Sequence, residues 1–198
     1  MYPTKTARYS YTNDFELNEV YSFLNGVKPV LAIENKILYR LQLKDKKALD
    51  TLQNYPQISN SFAEDTIFYF QNEYLKEENK NLNNYSTEEF GIMFGYPSLS
   101  IKQFILHGYK EKEDSSENHI NKLLVCLNGT VFISYKNILY LELQSLIKQK
   151  IITNENFDLR IICLKTNDIL VFSGKKDFES IFRLLPKKLN LLININIK

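Results

Sequence analysis

The chain has 198 residues, enough for one ordinary domain or two small ones. With 44% apolar and 24% charged residues it is a folding sequence and not a disordered one. A net charge of +2 excludes a strong overall pull toward charged partners, although residues 1–108 carry 11 basic and 13 acidic side chains against 14 and 10 in residues 109–198. Any attraction to an anionic partner would come from the second half.

The first half reads mostly as helices. Asn13, with Glu16 three residues on, has the spacing of a capping box, and Phe15, Leu17, Tyr21 and Leu24 make a helical stripe that Gly26 closes. "VKPVLAI" and "KILYRLQL" read as two strands of a hairpin joined at Glu34-Asn35, with Pro29 pushing the first strand to an edge. Asp45 is placed to cap a short helix, Lys46 to Asn54, closed by Tyr55-Pro56. Ser61 and Glu64 suggest a second capping box, followed by a helix with Ile67, Phe70 and Tyr74 on one face.

Ser86 and Glu89 suggest a third capping box, opening a short helix with Phe90, Met93 and Phe94 on its buried side. Gly95-Tyr96-Pro97 should then turn the chain, because Pro97 has no N–H to continue a helix. Ser98 or Ser100 caps the next helix, in which Ile101, Phe104 and Ile105 share a face. That helix has Lys102 as its sole basic residue, too few for reading a DNA groove.

Gly108 to His119 is charged, lacks an apolar period and reads as a linker. Beyond it the period becomes two. "KLLVCLNGTVFISY" is a hairpin around Asn128-Gly129; "NILYLELQSLI", "FDLRIICL" and "DILVFSG" continue as strands. "KKDFESIFRLLPKK" is a helix with Phe178, Ile181, Phe182 and Leu185 inward, and "LNLLININIK" alternates as a last strand. The expected class is α+β: a helix-rich N-terminal half with a small hairpin, then an antiparallel, strand-rich C-terminal half with one helix. The expected regions are 1–108, a linker at 109–119, and 120–198.

Two segments resemble known families. Glu89, Gly91, Gly95, Tyr96 and Pro97, with Phe104-Ile105 and the upstream "LNGVKP" of Leu24 to Pro29, resemble an uncharacterised bacterial family. Its hallmark is His-Glu-Ile-Gly-x-Phe-Leu-Gly-Tyr-Pro, and the likeness covers about residues 17–108. Glu88 stands where the family has His, Ser100 where it has an acidic residue and Gln103 where it has Gly. The resemblance implies a shared fold, brings no established activity, and makes Lys28, Glu89, Gly95, Tyr96 and Pro97 the candidate ligand or partner residues. "ISYKNILYLEL", Ile133 to Leu143, is similar to part of the LytTR class of DNA-binding domains, which implies DNA as a partner of residues 120–198. Ser134 and Asn137 depart from that class's pattern, and its basic ending is missing from "LNLLININIK".

The chemistry the residues exclude is broader than the chemistry they suggest. No Cys-x-x-Cys, P-loop, Gly-x-Gly-x-x-Gly or Gly-x-Ser-x-Gly occurs. Cys126 and Cys163 sit in apolar runs and read as buried small hydrophobes. His107 and His119 have no second ligand at metal spacing, and no metal or cofactor is expected. Glu88 and Glu89 point apart on a helix and already complement its N-terminus, so a paired acid and base is disfavoured. Tyr96, held between Gly and Pro, should anchor the turn or meet a ligand. Lys176, Arg183 and Lys187 fall on one side of the last helix and are the candidate nucleic-acid contacts.

The start of the chain lacks the apolar core of a secretory signal, and no apolar run approaches the roughly 20 residues of a membrane span. The expectation is a cytoplasmic, non-catalytic binding or regulatory protein with a protein or small-molecule partner and no membrane. A DNA-binding regulator and an accessory redox or haem-handling protein are the alternatives, the last implied only by the first-half resemblance, with His107 as the residue that could ligate a haem.

Overall fold

The computed structural model describes Tyr9, Ile152 and residues 14–59, 65–107, 122–148, 157–163 and 168–194, without the side chains of 107, 137 and 192–194. The fold is α+β, with two antiparallel sheets. The chain divides into two compact units, Met1–Gly95 and Tyr96–Lys198.

The first unit is built on a three-stranded sheet of β1 (Val30–Glu34), β2 (Gln57–Ser59) and β3 (Thr66–Phe70), in the order β1-β3-β2. Both faces are buried. Leu31, Ile33 and Tyr69 point into a core with Leu17, Val20, Phe23 and Leu24 of α1 (Phe15–Leu24), Ile37 and Leu41 of α2 (Asn35–Lys44), and Ala48 and Leu52 of α3 (Lys46–Leu52). Val30, Phe68 and Phe70 point the other way and pack with Leu82 and Met93. A strand buried on both faces needs no polar alternation, which is why "TIFYF" lacks one.

Four sequence expectations change in this unit. The N-cap of α1 is Asp14, whose carboxylate accepts the Leu17 N–H; Asn13 lies outside the described residues. "KILYRLQL" is a helix and not the second strand of a hairpin; β1 pairs with β3 instead, Val30 opposite Phe70. The apolar positions of α2 fit either period, but Lys36, Arg40 and Lys44 recur every four residues and mark its outer side. Arg40 pairs with Asp14 and Glu16, and Lys44 with Asp14, across to the start of α1. β1 runs into α2 with no residue between them: Glu34 is both the last strand residue and the N-cap. Residues 66–70 form a strand and not a helix, and the capping box expected at Ser61 and Glu64 lies outside the described residues. The helix expected at Lys46 to Asn54 forms over Lys46–Leu52, and Asp45 caps it through the Ala48 N–H.

The second unit holds a four-stranded sheet, order β5-β4-β6-β7, from β4 (Lys122–Leu127), β5 (Thr130–Tyr135), β6 (Asp158–Cys163) and β7 (Ile169–Ser173). Asn128 (φ 48°) and Gly129 (φ 83°) are both left-handed, as a two-residue hairpin turn requires. Asn128 Oδ1 also accepts the Asp158 N–H, tying the turn to β6. Leu123, Val125, Phe132, Leu159, Ile161 and Phe172 form one face of the sheet's core with α7 (Lys136–Lys148) and α8 (Gly174–Asn194). Cys126 and Cys163 are buried and are not joined in a disulfide.

Here two expected strands are helices. "NILYLELQSLI" forms α7, because Ile138, Leu139, Glu142 and Leu143 are the buried set, a helical spacing that the Leu139-Leu141-Leu143 alternation disguises. "LNLLININIK" continues α8 through Asn194, with 195–198 outside the described residues: Ile181, Leu185 and Leu189 recur every four residues, and Pro186 lies on the exposed side. Packing of that stripe outweighs the one backbone hydrogen bond a proline removes. Among the described residues no helix is long and apolar enough to cross a membrane.

Candidate functional site

The first unit carries an open groove of about 330 Å³, lined by Pro29, Val30, Leu75, Glu78, Asn79, Tyr85, Glu89, Ile92 and Met93. That volume lies at the lower end of small-molecule sites, roughly 300–1,000 Å³. Its walls come from α4 (Glu73–Glu78) with Asn79, from α5 (Thr87–Met93) with Tyr85 just before it, and from Pro29 and Val30 at the start of β1; the 3-10 turn Leu82–Asn84 links α4 to Tyr85.

Local capping places each wall. Asn72 Oδ1 accepts the Leu75 N–H at 2.9 Å and starts α4. Ser86 starts α5 by a full capping box: Glu89 N donates to Ser86 Oγ at 3.3 Å, and Glu89 Oε2 accepts from Ser86 N and Ser86 Oγ, each at 2.7 Å. Tyr85 precedes the cap and packs edge-on against Phe90 at 5.6 Å, the hydrophobic staple that fixes how the chain enters α5. The Tyr85 hydroxyl lies 2.9 Å from Asn79 Oδ1 and 3.2 Å from the Glu78 carbonyl, so its proton is held between them. Glu78 Oε1 accepts the Tyr74 hydroxyl proton.

The charges converge. The Ser86 N–H and hydroxyl hold the Glu89 carboxyl below the ordinary range. Burial raises the Tyr85 phenol above its ordinary value, and the charges of Glu89 and Glu78 raise it further. Glu89 therefore stays ionised and Tyr85 stays protonated at neutral pH. Neither is tuned for proton transfer there.

The structure gathers some predicted residues and separates others. Glu89 lines the groove. Gly95 (φ 73°) ends the turn after α5, and its α-carbon abuts the ring of Pro29, another groove residue. Lys28 is 1% exposed, with Nζ 2.7 Å from Glu19 Oε2 and 5.3 Å from the centre of the Phe94 ring. It therefore closes the core beneath the corner and does not face solvent. Glu88 is exposed in the first turn of α5. Tyr96 and Pro97 begin the second unit, where Tyr96 packs against Phe132 of the β4–β5 hairpin with ring centres 6.4 Å apart. His107 ends α6 (Ser98–His107), its side chain outside the described set, as is His119.

Lys176, Arg183 and Lys187 are exposed along α8, at spacings that share a side of the helix. A buried polar cluster lies in the same unit. Glu142 of α7 is 2% exposed; its Oε1 accepts the Ser100 N–H of α6 at 2.5 Å and its Oε2 accepts the Ser134 hydroxyl of β5 at 2.8 Å. Among the described residues no three His, Cys, Asp or Glu side chains group as a metal site.

Leu75, Glu78, Asn79 and Tyr85 were not among the expected site residues, because Ile67, Phe70 and Tyr74 read as one face of a single helix. Tyr85 and Phe90, five apart around the Ser86 cap, were the available signal. Comparison of the chain with protein-family models, curated proteins and solved structures finds no match.

Proposed function

We propose that this is a cytoplasmic, non-catalytic binding or regulatory protein whose ligand site is the α4–α5 groove of the first unit. One observation carries the reading: a groove of about 330 Å³ in which apolar walls, Pro29, Leu75, Ile92 and Met93, meet a set of polar groups at Glu78, Asn79, Tyr85 and Glu89. That mixture suits a small molecule with an apolar body and one polar end. The protonation states of Glu89 and Tyr85 favour holding a ligand over transforming it. Buried cysteines at 126 and 163 that form no disulfide fit a reducing compartment.

The chain provides its own reporter. Its two methionines are Met1 and Met93, and Met93 lines the groove. With ¹³C-methyl methionine in the full chain, and the resonances assigned by a Met93→Leu variant, hexan-1-ol should shift the Met93 methyl saturably. Absence of a saturable Met93 response to hexan-1-ol and to hexylamine alike would overturn the groove as a binding site.

A further inference from the structure

The groove's polar end has one sign. Glu78 and Glu89 both line it, no basic residue does, and residues 73–89 carry five glutamates against Lys76 and Lys80. Each lysine already pairs with another carboxylate, Lys76 with Glu73 and Lys80 with Glu77. Both groove carboxylates lie near enough to Tyr85 for their charges to raise its phenol's pKa. Each uses one oxygen for structure, Glu78 Oε1 with Tyr74 and Glu89 Oε2 with Ser86. Glu78 Oε2 and Glu89 Oε1 have no hydrogen-bond partner among the described residues. Tyr85 adds an aromatic wall, Asn79 a neutral polar group, and the other lining side chains are apolar.

We infer that the groove binds a small primary amine, its ammonium between Glu78 and Glu89 and its alkyl chain along Leu75, Ile92 and Met93. This inference rests on the groove being the binding site. An ammonium supplies three donors to the free carboxylate oxygens, and the Tyr85 ring attracts the cation as well. An anion would meet two carboxylates, and a neutral alcohol would leave both without a counter-charge.

The test compares hexylamine with hexan-1-ol, which have chains of the same length, on the Met93 methyl resonance. Hexylamine should bind about fivefold to tenfold more tightly at low ionic strength, the scale of two partly exposed charge contacts with a contribution from the ring. Added salt should narrow that difference. The double variant Glu78→Gln, Glu89→Gln should bring hexylamine down to the affinity of the alcohol. Glutamine at the third helical position still closes a capping box, so α5 keeps its start. Equal affinities in the unaltered protein, or a hexylamine preference that survives the double variant, would overturn the amine assignment while leaving the groove intact. No response to either probe would overturn both readings.

Discussion

The Cβ that Gly95 lacks would lie 2.9 Å from Cδ of Pro29 and 3.3 Å from its Cγ. The two residues belong to two stretches far apart in the sequence, "LNGVKP" and "FGYP". Their contact gives a physical reason for finding both in one chain: the corner after α5 closes only if the proline ring and the glycine backbone nest.

Gly95→Ala therefore meets two costs. The backbone is left-handed at φ 73°, worth about 1–2 kcal/mol against any L side chain, and the methyl group overlaps a stiff ring, worth about 1–3 kcal/mol more. Gly26 is the internal control, with φ 74° and nothing within 4 Å of an added Cβ. Denaturant unfolding should show Gly95→Ala losing more stability than Gly26→Ala. Equal losses would mean that the Pro29 contact is relieved without cost.

Lys28 was a candidate ligand residue and is now an internal one. Lys28→Met keeps an unbranched apolar side chain but takes the cation from the Phe94 ring and from Glu19, whose side chain is 19% exposed. Partial exposure of the glutamate reduces the penalty below that of a fully buried pair, to about 2 kcal/mol. Adding Glu19→Gln should recover part of the loss, a coupling that a double-mutant cycle in urea measures directly. A strictly additive pair would show that the 2.7 Å contact contributes nothing.

Glu142 should make the second unit less stable as pH rises. Burial raises its pKa above the ordinary 4.5, against the pull of hydrogen bonds from Ser100 and Ser134. Between 4.5 and that raised value the native protein keeps a proton that the unfolded chain releases. Stability is then full below this window and falls as pH climbs through it. Asp158 shifts the same way, through burial opposed by Arg160, and Asp14 the other way. Subtracting the unfolding free energy of Glu142→Gln from that of the unaltered protein across pH cancels those groups. The difference should decline with rising pH; a flat or rising difference would contradict the assignment.

The elements that were legible in the sequence are those with a local chemical signature. The capping box at Ser86 and Glu89, the cap at Asp45, and the Asn128-Gly129 turn each formed where the residues imply. The α+β class followed from them. What misled was apolar spacing compatible with two periods. Ile37, Tyr39, Leu41 and Leu43 alternate like a strand, yet Tyr39 and Leu43 are exposed on a helix. Leu139, Leu141 and Leu143 repeat the ambiguity. In both helices a residue of the other class held the answer: the cations of α2 at every fourth place, and Glu142 of α7 within an otherwise apolar stripe. Of the candidate site, Glu89 was legible and its neighbours across the groove were not, because the mistaken helix at 66–70 hid where α4 begins.

The direct passage from β1 into α2 at Glu34 makes the chain count its residues there. A strand and a helix joined without slack share one phase. One residue inserted after Glu34 would turn α2 by about 100° about its axis. Lys36 and Arg40 would then face the core where Ile37 and Leu41 now sit, and Arg40 would leave Asp14 and Glu16 behind. Length at this junction is thus as tightly constrained as side-chain identity, whereas a loop would have absorbed the change.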